Sequence, residues 1–372
     1  MSTRPPGPDA MDRSNEADLL HDMVRIPSVS GFEAELAGFL AARMARLGFA
    51  TSVDAVGNVR GEIGDPAGPE LLLLGHADTV PGALPVRLSD GILYGRGAVD
   101  AKGPLAAMIC AAARLGPAFP ARIVVIGAVD EERTSRGARH LVDRMRPDAV
   151  VIGEPSGATS VGLGYKGVLR FRIDVTVPPA HTSSPDPGAV EVAAGLWNAV
   201  GVAAQQWNAA DASLFDRVIP SLIGLSGDLR QAVAEISCRV PTGFDADRFL
   251  GGLPLGTHAL TVVEQVPAVR SPRTDPVVRA LSAAIRDTGA RPTPKLKLGT
   301  ADWNVVGPAW GVPTAAYGPG DSHLCHTEQE HIALSEYWTA IDVLAAALPR
   351  LAATVSAAAP AGGVPSRTGG MS

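Results

Sequence analysis

The chain has 372 residues, of which 46% are hydrophobic and 19% charged, and its formal net charge is −6. Its composition is that of a globular protein, its length favours two domains, and its acidity and lack of a basic tract argue against a nucleic-acid partner. The first residues lack the apolar core of a signal peptide and no segment reaches membrane-span length, so we expect a cytoplasmic protein with no membrane partner.

Up to residue 165, predicted strands alternate with predicted helices. Residues 1–15 are rich in Pro, Gly and Ser and predict a disordered tail. The apolar runs that end before His76, Asp130 and Glu154 are typical of buried strands bounded by polar turns. Helices are predicted at 33–47, 105–115 and 136–145. This alternation predicts an α/β sheet with crossover helices.

From 166 to 270 the predicted order changes to strand, helix, strand, strand, helix, strand. The strands are VLRFRIDVTV, SLIGLS, QAVAEISCRV and HALTVVEQV, and the helices are 188–207 and FDADRFLGGL. This is the split β-α-β order of ferredoxin-like domains. We therefore predict a domain at 166–270 inserted into a larger one formed by 16–165 and 271–352. The larger domain resumes with a helix at 276–288, a strand at VPTAAYG and a helix at 334–353, before a disordered tail at 353–372.

Four acidic motifs follow or adjoin the strands of the first half: GHAD, GRGAVDAKG, VDEE and GEPS. Ligand sites in α/β sheets form at the carboxyl ends of strands, and the side chains concerned should therefore gather along one rim. They are His76, Asp78, Glu131, Glu132 and Glu154, with Asp100 on a glycine-rich loop beside them. Five carboxylates and an imidazole in one cleft repel each other unless cations lie among them, so a pair of divalent metal ions is the simplest explanation.

Each motif alone has an ordinary alternative. Taken alone, the His76-x-Asp78 tripeptide is equally typical of two ordinary surface residues. Asp100 alone is better explained as a helix N-cap. Glu131 and Glu132 alone would be a solvated turn. Glu154 precedes a proline, which suits either a ligand on a fixed turn or a strand terminus.

The remaining candidates lie in three other segments. The run YGPGDSHLCHTEQEH contains three histidines within nine residues, which makes a metal role for His326 plausible. Cys325 beside it is more simply a bystander, because zinc thiolate sites come in closely spaced groups; with Cys110 and Cys238 it indicates a reducing compartment. His181 alone would be a loop residue.

Taken together, these motifs resemble the acetylornithine deacetylase / succinyl-diaminopimelate desuccinylase / carboxypeptidase family of dinuclear zinc hydrolases, from about residue 18 to 352. The resemblance implies an α/β zinc-peptidase-like catalytic domain with an inserted ferredoxin-like dimerisation domain, and therefore a homodimer. It also implies two Zn²⁺ ions per subunit, for which Co²⁺ can substitute. The implied ligands are His76 and Glu154 for one ion, Glu132 and His326 for the other, and Asp100 between them.

The resemblance also implies the catalytic roles. Asp78 would orient His76, Glu131 would be the general base, and His181 would reach across the dimer to support the developing oxyanion. Arg239, Asp302 and Asn304 are the candidates for substrate contacts. An alternative for Asp302 is an exposed loop aspartate that caps a turn.

Within the family, LKLGTADWNVV and YGPGDSHLCHTEQEH look like the LysK-type branch, which releases lysine or ornithine from an amino-group carrier protein. Cys325 stands where that branch usually has an acidic residue, and SGDLRQAV replaces an asparagine-containing segment, so the leaving amino acid stays open. We predict an amidohydrolase that frees an amino acid from the C-terminal glutamate of a small acidic carrier. Alternatives are a deacylase of small N-acyl amino acids and a non-catalytic binding module. The segment 166–271 has a formal charge of −2 and offers no evident basic dock for such a carrier.

Overall fold

The computed structural model describes residues 11–179 and 181–358. Within these ranges the chain forms nine α-helices and sixteen strands. The helices are α1 (Arg13–Arg25), α2 (Ala34–Arg46), α3 (Lys102–Leu115), α4 (Arg136–Leu141), α5 (Ala189–Trp207), α6 (Ala246–Gly251), α7 (Pro276–Asp287), α8 (Trp303–Trp310) and α9 (Leu334–Ala358). The strands are β1 (Ala50–Val53), β2 (Val59–Gly64), β3 (Glu70–His76), β4 (Arg87–Ser89), β5 (Ile92–Tyr94), β6 (Arg122–Ala128), β7 (Ala149–Gly153), β8 (Ser160–Tyr165), β9 (Gly167–Thr176), β10 (Ile219–Gly227), β11 (Gln231–Val240), β12 (Ala259–Val266), β13 (Val269–Arg270), β14 (Thr293–Lys297), β15 (Thr314–Ala316) and β16 (His331–Ala333).

A nine-stranded sheet forms the larger part of the molecule. Its order is β1-β2-β6-β3-β7-β15-β8-β13, and β14 pairs with β8 beside this path. The central strands β6, β3, β7 and β15 are parallel neighbours. Parallel strands are covered on both faces, which explains why all seven residues of β3 are buried.

The alternation of side chains along β3 divides the apolar interior into two layers. Leu71 and Leu73 pack into the core under α1, α2, α3, α7 and α9. Leu72 and Leu74 face the opposite core, which α4 and α8 cover. Because successive strand residues point to opposite faces, one continuous apolar run serves both layers. The polar ends of these strands are therefore left to meet at the sheet's rim.

A separate four-stranded antiparallel sheet is built from the middle of the chain. Its order is β10-β11-β9-β12, and α5 and α6 pack on it around a core of its own that includes Phe171, Leu196 and Phe249. The succession β9, α5, β10, β11, α6, β12 is the ferredoxin-like order. We call this part the lid. The chain passes from the large sheet to the lid at Lys166 and returns after Val266.

The α/β fold class predicted from the sequence is confirmed, while the domain boundaries remain a prediction. Two helices extend into the predicted tails: α1 already begins at Arg13, and α9 continues to Ala358. The rest of both predicted tails, residues 1–10 and 359–372, lies outside the described residues.

One expectation about segment length is wrong. The C-terminal helix α9 spans 25 residues and is long and apolar enough to cross a membrane by length and composition. Its apolar side chains, among them Tyr337, Ile341 and Leu348, are buried in the core against α3 and α7. The helix is apolar on its inner face because it is a core element, and alanine supplies much of the remaining apolar character.

Candidate metal centre

The candidate site lies where three neighbouring parallel strands end. His76 is the last residue of β3, Glu131 and Glu132 follow β6, and Glu154 follows β7. Because β6, β3 and β7 are adjacent in the sheet, their carboxyl ends bring these four side chains to one rim. The turn that carries Asp100 leads into α3 beside them.

Asp100 lies at the centre of the cluster. Its Oδ1 is 3.2 Å from Nε2 of His76, and its Oδ2 is 3.3 Å from Nε2 of His326. Glu132 Oε1 lies 2.9 Å from the same His326 nitrogen, and Glu154 Oε1 lies 4.0 Å from Nε2 of His76. Ligand atoms of His76, Asp100 and Glu132 all fall within 4.8 Å of one another. One carboxylate thus separates two pairs of donors, an arrangement that suits two metal ions bridged by Asp100.

Asp78 is fully buried and holds the GHAD and VDEE motifs together. Its carboxylate accepts hydrogen bonds from Ser30 Oγ (2.7 Å) and from the backbone N–H groups of Glu131 and Glu132 (3.1 Å each). Nδ1 of His76 is nearest to the backbone carbonyl oxygen of Asp78 at 3.0 Å, and the carboxylate is 3.4 Å away. Burial alone would raise the pKa of Asp78, but the hydrogen bonds from His76 and Ser30 lower it instead. Asp78 therefore fixes the glutamate turn as well as the imidazole.

The glutamate turn separates its two side chains. Asp130 and Ser135, at its two ends, adopt left-handed backbone conformations with φ of 65° and 51°, and the Ser135 N–H closes the turn onto the carbonyl of Asp130 at 2.7 Å. Glu132 points to His326. No hydrogen bond or ion pair of the Glu131 carboxylate is found among the described residues. The charges of His76, Glu154 and Asp302 nevertheless shift its pKa. Strained backbone of this kind clusters at functional sites.

Of the three histidines in the C-terminal motif, one faces the cluster. His323 is 91% exposed and bonds to Asp321. His331 lies on β16, where its ring packs against Tyr94 with centroids 5.1 Å apart. His326, with a left-handed φ of 63°, is turned towards Asp100 and Glu132.

The protonation of the cluster follows from its crowding. Burial and the charge of Asp100 raise the pKa of Glu154 to about 8. Hydrogen bonds to Asp100 and Glu132 raise the pKa of His326 to about 10. The pKa of Asp100 is lowered, because its bonds to His326 and His76 outweigh burial. Without cations the cluster therefore retains protons at neutral pH, which is the state expected of a site whose donors suit divalent metal ions.

Zinc binding to the metal-free protein at pH 7 should release about three protons, since His76, His326 and Glu154 must each lose one to become ligands. Calorimetric titration in buffers of different ionisation enthalpy measures this number directly. His326→Gln should reduce the release by about one proton. A proton count near zero at pH 7 would show that these groups are not the ligands.

Sequence reasoning missed Glu330, which anchors the Asp100 turn. Glu330 is 1% exposed, and its Oε1 accepts from the backbone N–H groups of Val99 and Asp100 at 3.0 Å each. Its Oε2 accepts from Arg96 at 2.7 Å. The only sequence signal for this role of Glu330 was its position four residues after His326, in a segment that otherwise has the composition of a turn. Glu330 connects the C-terminal motif to the GRGAVDAKG motif.

Two further groups next to Glu154 were also missed. Tyr165 Oη donates to Glu154 Oε2 at 3.4 Å. Lys297 Nζ donates to the carbonyl of Pro155 at 2.6 Å, and burial lowers its pKa although the charge of Glu154 raises it. Cys325 is half-buried, and burial together with Asp100 raises the pKa of its thiol.

His181 and Arg239 lie in the lid, and the structure does not bring them to the cluster. His181 is exposed, and its Nδ1 lies 2.8 Å from Ser183 Oγ. Arg239 is on β11, and its Nη1 is buried without a hydrogen-bond partner among the described residues. Their assigned roles stay predictions.

The structure gives Asn304 a structural role, and the substrate contact predicted for it stays a prediction. Asn304 is 1% exposed, and its Nδ2 donates to the carbonyl oxygens of Lys166 (3.0 Å) and Pro267 (2.8 Å). Its Oδ1 accepts from the backbone of Ala301. Both N–H groups of the amide are used in joining the two chain segments that lead into and out of the lid, so neither is left to donate to a substrate.

Asp302 is not the exposed turn residue considered from the sequence. It is 3% exposed, and no hydrogen-bond partner within ordinary distance reaches either carboxylate oxygen among the described residues. Burial raises its pKa to about 7, while His76 and the nearby Ser135 hydroxyl lower it. It lies at the start of α8, but its side chain does not cap the helix. Its negative charge contributes to the raised pKa of Glu131.

Comparison with known proteins places this geometry in context. The family model described as peptidase family M20/M25/M40 matches residues 72–350. A [LysW]-lysine hydrolase of Deinococcus radiodurans is 43% identical over 362 residues, covering 93% of this chain and 99% of the relative. A putative [LysW]-lysine/[LysW]-ornithine hydrolase of Thermococcus kodakarensis is 40% identical, with coverage of 88% and 90%.

Solved structures share the fold at low sequence identity. Aminopeptidase PepT of Bacillus cereus superposes with a TM-score of 0.78 at 18% identity, covering 92% of this chain and 99% of its own. The YXEP protein of Bacillus subtilis, described as a dinuclear metal-binding peptidase from the M20 family, gives a TM-score of 0.67 at 15% identity, with coverage of 92% and 98%.

Proposed function

The chain belongs to peptidase family M20/M25/M40, whose members hydrolyse amide bonds, and from that premise we propose that it is a two-zinc hydrolase that releases lysine, ornithine or a related amino acid from the C-terminal glutamate of an amino-group carrier protein. The relatives named [LysW]-lysine and [LysW]-ornithine hydrolases support this substrate class. The observation that carries the proposal is the central position of Asp100 between two pairs of donors.

The residues present fit a pair of zinc ions. His76 and Glu154 would hold one, Glu132 and His326 the other, and Asp100 would bridge them, because nitrogen and carboxylate ligands with open positions are the donor set of catalytic zinc. Bound zinc supplies Lewis-acid activation of water and of the scissile carbonyl. Metals that prefer a tetragonal geometry, or ligands that are all oxygen atoms, suit this mixed donor set less well.

Proton transfer is assigned to Glu131. Its carboxylate lies beside the cluster and forms no ion pair with residues 11–179 and 181–358, in contrast to Glu132. It would take a proton from the attacking water and deliver that proton to the leaving α-amine of the amino acid. The oxygen of the water forms the new C–O bond at the carbonyl carbon, and the amide C–N bond breaks as the amine accepts this proton. The second proton of the water passes to the released amine, which leaves as an ammonium and leaves the carrier's glutamate as a carboxylate.

We assign the active form to a homodimer formed through the lid. His181 does not contact the cluster of its own chain among the described residues, so the role proposed for it requires that a second subunit supply one. The edge strand β10 leaves Ile223 58% exposed and Leu225 38% exposed, and Val202 on α5 is 50% exposed. An apolar edge strand beside an apolar helix face is a surface suited to pairing with a second copy. A cytoplasmic location is consistent with the three free cysteines.

Substrate choice should depend on Asp302. In the part of the chain that the structure describes, the buried carboxylate of Asp302 has no hydrogen-bond partner within ordinary distance, which is costly, and the side-chain ammonium of lysine or ornithine would satisfy it. We expect γ-glutamyl-lysine and γ-glutamyl-ornithine, linked through the α-amine, to be cleaved roughly 10- to 150-fold better than the norleucine analogue, the equivalent of about 1.5–3 kcal/mol for a hydrogen bond to a charged group. Kinetics with the three substrates and with N-acetylornithine measure this preference.

Asp302→Asn is the matched variant, because it keeps the size of the side chain and removes its charge. The variant should lose the preference for a basic amino acid and retain its rate on the norleucine substrate. Equal wild-type rates on all three γ-glutamyl substrates would remove Asp302 from substrate recognition. A clear preference for N-acetylornithine would favour the small-substrate deacylase over the carrier hydrolase.

A further inference from the structure

A cavity of about 510 Å³ lies at the junction of the lid and the large domain. The lid contributes Gln265 and Val266 at the end of β12 to its wall, and the large domain contributes helix α8 and the end of α4 with the turn that follows it. No donor of the metal cluster is among the lining residues that the structure describes. Cavities of this size between domains are common binding sites for small molecules.

Two opposite charges line the cavity without pairing with each other. Arg139 and Asp143 are exposed and four residues apart, the spacing at which opposite charges pair along a helix. Helix α4 ends at Leu141, so Asp143 lies beyond the last helical turn, and neither residue forms an ion pair with a described residue. Arg139 donates from Nε to the carbonyl oxygen of Thr134 at 2.9 Å, which leaves its two terminal nitrogens for a ligand.

The arrangement of charge and apolar surface fits a free α-amino acid. A guanidinium binds a carboxylate through two parallel hydrogen bonds, which suits the α-carboxylate, and the carboxylate of Asp143 suits the α-ammonium. Val305 and Pro308 on α8 offer apolar surface to the aliphatic part of a side chain. A simple anion would be attracted by Arg139 and repelled by Asp143, and a simple cation the reverse, so a ligand that carries both charges is favoured.

The cavity is joined both to the catalytic turn and to the attachment of the lid. Arg139 bonds to Thr134, whose own backbone N–H donates to Asp130 in the turn that carries Glu131. Asn304, another lining residue, bonds to the carbonyl oxygens of the segments that enter and leave the lid. An occupant that contacts both domains stabilises the orientation of the lid in which the two walls are this close.

We propose that this cavity is a regulatory site for a free α-amino acid, and that lysine or a related basic amino acid, the product class of the proposed function, lowers turnover by binding there. The identity of the amino acid rests on the proposed function, whereas the site itself does not. His181 belongs to the lid, so the orientation of the lid decides whether a His181 reaches a cluster. In the structure His181 does not contact the cluster of its own chain among the described residues. An amino acid that holds this orientation therefore slows the reaction when free product accumulates.

Inhibition kinetics with γ-glutamyl-lysine test the site. Product bound at the metal cluster competes with substrate and raises KM alone, whereas an occupant of the cavity lowers kcat at saturating substrate. We expect saturating L-lysine to lower the kcat of the zinc-loaded wild type roughly 5-fold or more, the lower end of typical coupling between two sites. Cadaverine, which lacks the carboxylate, and 6-aminohexanoate, which lacks the α-ammonium, should leave kcat unchanged.

Asp143→Asn is the diagnostic variant, because it is nearly isosteric and lies at an exposed position outside the catalytic machinery. Without lysine its kcat and KM should stay close to those of the wild type, and lysine should no longer lower its kcat. Asp18→Asn makes the same change at an exposed aspartate on α1 and should keep the wild-type response. Purely competitive inhibition of the wild type, an unchanged decrease of kcat in Asp143→Asn, or an equal effect of cadaverine would overturn the regulatory site.

A binding measurement separates this inference from the proposed function. L-Lysine in large excess should raise the melting temperature of the wild type more than that of Asp143→Asn, because a ligand stabilises the folded state that contains its site. This difference is expected even if γ-glutamyl-lysine is not cleaved, in which case the proposed function fails and the site remains. Equal shifts in the two proteins would reject the cavity as an amino-acid site and leave the proposed function standing.

Discussion

Glu131→Gln should keep both zinc ions and reduce kcat by roughly 10²–10⁴-fold, because a general acid–base group contributes about that much to the rate. The effect can exceed this range here, since one carboxylate serves both proton transfers. The glutamine is isosteric and keeps the backbone N–H that bonds to Asp78. Zinc analysis of the purified variant alongside steady-state kinetics tests the assignment.

Glu132→Gln is the matched control for that experiment. Glu132 contacts His326 and lies within the group of donors around Asp100, so its substitution should lower zinc content as well as activity. Losing zinc from Glu131→Gln while Glu132→Gln retains it would show that the two roles are exchanged. The same purified proteins give both measurements.

Mixing His181→Ala with Glu131→Gln should restore activity that neither protein has alone. Each mixed dimer contains one site with Glu131 from one chain and His181 from the other, so up to half of the sites in a mixed dimer are complete. The reason is geometric, since His181 is exposed in the lid and bonds locally to Ser183 rather than to the cluster. Oxyanion stabilisation of this kind is worth roughly 10²–10³-fold in kcat.

The mixing experiment requires evidence that subunits exchange, which a tagged copy supplies by co-purification. Wild type mixed with Glu131→Gln serves as the reference for dilution of active sites. Exchange without any recovery of activity would exclude the across-dimer position of His181. A fully active His181→Ala protein would remove the residue from the mechanism.

The parts of the fold that could be predicted are those in which the chain carries its own local signal. The run before His76 is apolar at every position because β3 is buried on both faces. The strand QAVAEISCRV was predicted with the bounds it has in the structure, since its alternation matches a sheet with one covered face. The gathering of the acidic motifs followed from the rule that parallel strands end at one edge.

The parts that could not be predicted depend on contacts between distant segments. Glu330 and Asp100 are separated by 230 residues, and nothing local to either indicates their hydrogen bond. Asn304 looked like a substrate residue because it stands near Asp302, yet its partners Lys166 and Pro267 are 138 and 37 residues away. Short strands such as β4, β5 and β16 have too few residues to show a period. Closeness in sequence to a candidate residue therefore predicts the role of a side chain less well than its position on the sheet does.

The double hydrogen bond of Asn304 has a consequence for how the lid is attached. A single amide group bonds to the carbonyls of Lys166 and Pro267, so the chain leaves the large domain and returns to it at nearly one point. Gly167 lies so close to Val266 that an added Cβ would stand 2.4 Å from its carbonyl oxygen. An insertion with adjacent ends can be gained, lost or exchanged without altering the strand order of its host. The lid is thus attached in the way expected of a module that evolution can exchange, and the two bonds to Asn304 hold its entry and exit together.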